Sequence, residues 1–178
     1  MAIELEERET VGPEPERLEL GELKNEVIDI RRVAKVTKGG KNLSFRVIAV
    51  VGDEAGHVGV GKGNTREIPL AIQQAIRDAM KNMIYVPLKD GTIPHEVEGR
   101  FKAARVILKP AHRGTGVIAG LTVGTICRLA GIKDVLTKAL GSTNPINLAK
   151  ATIEALKQLR TPEEIARLRD KKVEEILR

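Results

Sequence analysis

The sequence predicts an α+β chain of two small units behind an acidic N-terminal extension. Three observations lead there. The chain has 178 residues, 42% of them hydrophobic, which suits one large core or two modest ones. Strand-like alternation precedes a helix-period stretch in each half. Glycine and proline turns then punctuate the chain at short intervals. Only Phe45, Tyr85 and Phe101 are aromatic and Trp is absent, so the core must be aliphatic. That composition also argues against an aromatic platform that stacks single-stranded bases.

Residues 1–24 hold eight Glu against Arg8, Arg17 and Lys24, with two prolines. Such a stretch buries too little to fold alone, so disorder is expected, with room for a short helix over 17–24. The net charge of the whole chain is nevertheless +6, so the body that follows is strongly basic and suits a polyanionic partner.

The first unit is expected over residues 25–83. A strand at 27–37 leads to a turn at Gly39-Gly40, ringed by Lys35, Lys38 and Lys41. Leu43, Phe45, Val47, Ala49 and Val51 alternate along a second strand, and a short, glycine-thinned third strand covers 58–61. Ile68, Ile72, Ala75, Ile76, Ala79 and Met83 recur at helical spacing, with Pro69 tolerable in the first turn. The prediction is one helix on a three-stranded antiparallel sheet. The second unit, over 84–160, should open with a strand at 84–87. Strands at 92–97 and 101–108 follow, with turns at Asp90-Gly91 and Gly99. A basic, glycine-rich loop then feeds a helix ending near Ala130, and residues 133–139 fit either a strand or a short helix. The next helix is capped by Thr143 or Asn144, with Pro145 in its first position. In the last segment, 161–178, Thr161-Pro162-Glu163-Glu164 forms a capping box for a final helix with Leu168 and Val173 on its apolar side.

Several function classes find no support. Cys127 stands alone in an apolar run, which rules out a disulfide framework and a cysteine-rich zinc site. His57, His95 and His112 lack metal spacing, so no metal or other cofactor is expected. The start of the chain does not read as a signal peptide, and the apolar run 117–127 is too short to span a bilayer, so a cytoplasmic protein is expected. "GHVGVGKG", residues 56–63, matches the first part of a phosphate-binding loop. Gly63 stands where magnesium chemistry needs Ser or Thr, so a glycine-rich strand that admits another backbone is the better reading. Glu67, Asp90, Glu96, Glu98 and Asp134 read as carboxylates of charged surfaces or turns, and no nucleophile elbow exists, so no enzyme is expected.

Basic residues instead line one element after another. Arg32, Lys35, Lys38, Lys41, Arg46, Lys62, Arg66, Lys109, His112 and Arg113 are candidate contacts to a phosphate backbone. With few aromatics, recognition should work by shape and backbone contact, as for folded RNA. In "KPAHRGTGVIAG", free amides before a helix favour an anion. The four-residue recurrence of Gly116, Gly120 and Gly124 allows either such a site or tight helix–sheet packing.

Three stretches, "VAKVTKGGKNLSFRVIAVVGDEAGHVGVGKGNTREIPLAIQQA", "RVILKPAHRGTGVIAG" and "GSTNPINLAKATIEAL", together resemble bacterial small-subunit ribosomal protein five. The resemblance covers residues 27–177 and leaves the acidic extension outside. It implies a first domain similar to a double-stranded-RNA-binding domain and a second with a left-handed β-α-β sheet. It further implies a structural protein of the cytoplasmic ribosome. Such a protein binds 16S-type ribosomal RNA where body, neck and head meet, contributes to accuracy and lies near the messenger path. Ribosomal proteins four and eight are the implied neighbours. The loop over 35–42, with Lys38, Gly39, Gly40 and Lys41 at its tip, resembles the one that borders the spectinomycin site. Arg113, Gly114, Thr115 and Gly116 match the segment near protein four, and Asn144, in the matching "GSTNP" stretch, is expected first as a helix cap and second as an RNA contact. The alternative is a free-standing duplex-RNA binder outside the ribosome. Against it, the start of the long helix offers only Arg66, with Lys62 just before, where general duplex binders carry a lysine cluster.

Overall fold

The computed structural model describes residues 23–171 and 173–176, so the expected disorder of the extension up to residue 22 lies outside the described residues. β1 (Lys24–Thr37) and β2 (Gly40–Gly52) form a long hairpin, and β3 (His57–Thr65) pairs antiparallel with β2. α1 (Ile68–Lys81) follows, and β4 (Met83–Tyr85) returns to pair with β3. The sheet therefore has four strands, in the order β1-β2-β3-β4. The strand expected to open the second unit instead completes the first sheet. β3 is also longer than its glycine content implied, because the helix that packs on its glycines offsets their entropic cost.

Packing on β3 is unusually close. A Cβ added at Gly59, Gly61 or Gly63 would overlap the carbonyl oxygen of Ala79, Ala75 or Ala71 respectively. These three alanines are fully buried and share one face of α1. Helix backbone thus rests directly on strand backbone, with Val47 and Ala49 of β2 beside it. β4 pairs only with the first residues of β3, so the rest of that edge is open. α1 closes it with side chains. Asp78 Oδ2 accepts from the Lys62 N–H at 2.9 Å, and Gln74 Oε1 from the Asn64 N–H at 2.8 Å.

The second sheet comprises β5 (Val97–Phe101), β6 (Ala104–Pro110), β7 (Val117–Ile118) and β8 (Val135–Gly141), in the order β5-β6-β8-β7. β7, α2 (Leu121–Leu129) and β8 make a β-α-β unit with parallel outer strands, and the other pairings are antiparallel. α3 (Pro145–Lys157) packs on β5 and β6, and α4 (Pro162–Leu168) and α5 (Val173–Ile176) follow. Gly99 was expected at a turn but lies inside β5, buried beneath α3, where a Cβ would overlap the Ala151 carbonyl oxygen. The turn falls instead at Lys102-Ala103, with Lys102 at φ +54°. Asn144 caps α3 by accepting from the Ile146 N–H at 3.2 Å, and Thr161 with Glu164 closes the capping box of α4. The final helix is broken. Asp170 adopts φ +49° between α4 and α5, and Leu168 is left exposed.

One core joins the units. Val50 and Val58 of the first sheet are fully buried together with Val106 and Leu108 of the second sheet, Ile126 of α2 and Leu156 of α3. At the seam, the end of α2 meets the β2–β3 turn. The Glu54 N–H donates to the Leu129 carbonyl at 3.0 Å, and Gly52 and Gly131 have no room for a Cβ against Leu129 and Glu54. Asp53 holds that turn. Its Oδ1 accepts from the backbone N–H groups of Ala55 (2.8 Å) and His57 (2.9 Å), and its Oδ2 lies 2.6 Å from His57 Nδ1. Burial alone would raise the Asp53 pKa, but the two backbone N–H groups and the His57 ring outweigh it and hold the carboxyl below its ordinary value.

Two predictions follow from this packing. Gly61→Val should destabilise the fold by about 3 kcal/mol or more, since neither backbone can retreat, as measured by denaturant unfolding. Asp53 contributes stability that is complete above the unfolded carboxylate pKa of about 4 and is lost as pH falls through its lower folded value. Asp53→Asn should therefore flatten the pH dependence of unfolding below about pH 4 and cost about 1–3 kcal/mol at neutral pH.

Candidate nucleic-acid interface

The hairpin outgrows its sheet. β2 begins to pair with β3 only at Phe45, opposite Thr65. Beyond that, five residue pairs from Val33↔Ser44 to Thr37↔Gly40 form a bare two-stranded arm about 15 Å long. Lys35, Lys38, Gly39, Gly40 and Lys41 are all exposed on it. The turn residues are Lys38 and Gly39, one step earlier than expected, and Gly40 opens β2 with φ +134°. Left-handed backbone is thus required at Gly40 and not at Gly39, and no atom lies within 4 Å of where either Cβ would be. Thr37 Oγ1 donates to the Gly40 carbonyl at 3.2 Å and braces the tip. Cross-strand partners share a face. Arg31, Lys35 and Arg46 therefore stand on one side and Arg32 and Lys41, with exposed Val36 and Leu43, on the side of α1. No carboxylate among the described residues lies within ion-pair distance of Arg32, Lys35, Lys38, Lys41 or Arg46, so the arm is cationic on both faces.

The other predicted residues fall into separate places. Arg66 is exposed where the chain turns from β3 into α1. Lys62 projects from the opposite face of the sheet, and its backbone N–H is already taken by Asp78. "GHVGVGKG" is a strand pressed against a helix and not a phosphate-binding loop. Lys109 pairs with Glu96 at 3.3 Å. His112 and Arg113 are exposed at the glycine-rich loop, where Thr115 Oγ1 donates to the His112 carbonyl at 2.7 Å. Gly114 (φ +91°) and Gly116 (φ +79°) shape that loop, and nothing lies within 4 Å of a Cβ at either. The expected helical glycine stripe is absent, since β7 intervenes and Gly120 is the N-cap of α2. Asn144 spends its side chain on the α3 cap.

Sequence reasoning missed two features. Asp134, expected on a surface, is buried, and its Oδ1 accepts from the Gly116 N–H at 2.8 Å, so it is the post that holds the glycine-rich loop. A cleft of about 860 Å³ also opens between the units, opposite α1. Arg46 and Lys62 reach it from the first sheet, and Lys102, Lys150 and Lys157 from the second unit. The spacing of Lys150 and Lys157, two turns apart on α3, put them on one helical face but not against β2 and β3. Cys127 is buried and its thiol is pushed up to about 12 by burial, so it is unreactive.

The chain is similar to known proteins over most of its length. The family described as ribosomal protein S5, N-terminal domain, matches residues 23–87, and ribosomal protein S5, C-terminal domain, matches residues 99–169. Small ribosomal subunit protein uS5 of Thermotoga neapolitana is 61% identical over 157 residues, 88% of each chain. The protein of that name from Pseudothermotoga lettingae is 54% identical over 91% of each chain, and that from Thermosipho africanus 55% identical over 85% of this chain and 86% of its own. Both halves of the fold and the cationic arm lie within these matches, and this chain belongs to the ribosomal protein S5 family, a family of structural ribosomal proteins and not of enzymes.

Proposed function

We propose that this chain is a structural, RNA-binding protein of the small ribosomal subunit, residing in the cytoplasmic ribosome. It holds 16S-type ribosomal RNA in register where body, neck and head meet. The observation that carries this reading is the bare hairpin arm, whose lysines have no carboxylate within ion-pair distance among the described residues and whose tip is shaped by Gly40. A cationic projection of that kind inserts among phosphates of several RNA segments at once. In this reading the arm borders the spectinomycin site, with Arg32 and Arg46 at its root. Arg113, Gly114, Thr115 and Gly116 meet ribosomal protein four, protein eight lies alongside, and the messenger path runs nearby. A loop pinned to the core through Asp134 suits a contact that tunes accuracy, because its shape cannot drift independently of the sheet.

The free-standing duplex binder is less favoured by the helix that would grip a groove. The first turn of α1 presents Ile68, Pro69 and Leu70, with Arg66 as the nearby cation.

Sucrose-gradient fractionation tests the assignment. The protein should co-sediment with small subunits, and persistence at the top of the gradient would overturn it. Lys38→Ala with Lys41→Ala should lower the slope of log affinity against log salt, for small-subunit ribosomal RNA, by about 1.5–2. Gly40→Val should alter the response of ribosomes to spectinomycin while the protein still incorporates; an unchanged response in fully incorporated protein would remove the tip from that site.

A further inference from the structure

The cleft between the units has a composition that its packing does not explain. Its floor is the part of the first sheet that the second unit leaves uncovered. Val50, Val58 and Val60 on that face join the common core, but farther along β2 and β3 the same face continues as Ile48, Arg46 and Lys62. Facing them are α3 and the β5–β6 turn. Lys102 is held in left-handed backbone at that turn, its Nζ 5.9 Å from the centre of the Phe101 ring, and Lys150 Nζ stands 5.0 Å from the same centre. Two carboxylates also line the space, against the five cations Arg46, Lys62, Lys102, Lys150 and Lys157, so the lining keeps a net positive charge. Asp78 accepts from the Lys62 N–H and from the Asn82 side chain, and Glu154 pairs with Lys157 at 3.0 Å. Arg46, Lys62, Lys102 and Lys150 therefore face one another across the cleft with no carboxylate within ion-pair distance among the described residues. Like charges gathered on two walls of a concavity repel, and an anion between them removes that repulsion.

We propose that this inter-unit cleft is a second RNA-binding surface, reached from the root of the arm at Arg46, that seats one sugar–phosphate strand of ribosomal RNA between the sheet wall and α3. This rests on the ribosomal reading above and adds a site to it. A strand fits the chemistry because cations stand on both walls. Asn147 adds a neutral hydrogen-bonding group, and Phe101 with Ile84 and Ile153 supplies apolar surface for sugars and base edges. An acidic polypeptide is the competing occupant. It is less favoured because the apolar floor is shared with fixed cations on both sides, which matches the alternation of sugar and phosphate along one strand.

The test uses the full chain and small-subunit ribosomal RNA. Lys102→Gln with Lys150→Gln changes two exposed side chains that make no ion pair in the described structure, so the fold should survive; circular dichroism checks it. The variant should bind this RNA at least about tenfold more weakly at moderate salt, with the salt slope reduced by about 1.5. Added to Lys38→Ala and Lys41→Ala, the losses should be additive in free energy, as for independent sites. Unchanged affinity and slope, in a protein whose arm variants still weaken binding, would overturn the cleft site and leave the ribosomal assignment standing. Unchanged RNA binding with lost binding to poly-glutamate would assign the cleft to an acidic polypeptide and overturn it equally. Absence of any RNA association by the unmodified chain would overturn both readings. Charge-retaining Lys102→Arg with Lys150→Arg should restore affinity, and failure to do so would mean that the glutamine variant acted through structure and would count against the proposal.

Discussion

Backbone-on-backbone contact between helix and sheet is the constraint from which the rest of the molecule follows. In the first unit Gly59, Gly61 and Gly63 lie against Ala79, Ala75 and Ala71, and in the second Gly99 lies against Ala151 and Ala155. With glycines on the strand and alanines on the facing side of the helix, the chain has no side chain there to fill a thick layer between sheet and helix. It brings the two layers together instead, so that short side chains reach native packing density. Closer approach gains dispersion contacts along the whole helix and leaves no space at the glycines for any other residue. It also brings Asp78 and Gln74 within reach of the β3 edge, so the helix both covers the sheet and closes its open side.

That arrangement leaves the opposite face of the first sheet to the second unit. The core formed there is continuous, and the seam is fixed by backbone hydrogen bonds, by glycines without room for a Cβ and by the Asp53 turn. Two units joined in this way have little freedom to move against each other, unlike domains on a linker. In the proposed reading a rigid pair holds several RNA segments at set separations, and ordering on binding then costs less.

In the proposed reading, function sits on what packing leaves over. The arm exists because β1 and β2 are longer than β3, and the cleft exists because the second unit covers only part of a sheet face. Both inherit cations with few carboxylate partners. Lys62 illustrates how one residue type changes meaning with context. Its neighbours in sequence mimic a nucleotide loop, its backbone completes a strand edge, and its side chain looks into the cleft.

Much of this was legible in order along the chain. Alternation from Leu43 to Val51, the 3.6-residue period of α1, the Asn144 and Thr161 caps and the lysine-ringed hairpin are local signals. Local physics sets them, so the sequence by itself determined the α+β class, the basic character and the arm. Other features depend on partners distant in sequence. Gly99 looked like a turn until α3 lay on it, and residues 84–87 looked like the start of a new unit until β4 found β3. Asp134 looked exposed until Gly116 arrived, and Lys102 met Arg46 and Lys62 only once two sheets had packed. A glycine is written identically whether it bends a chain or admits a helix, and a lysine whether it faces water or a cleft. Only the tertiary structure, by choosing which surfaces touch, decided between them.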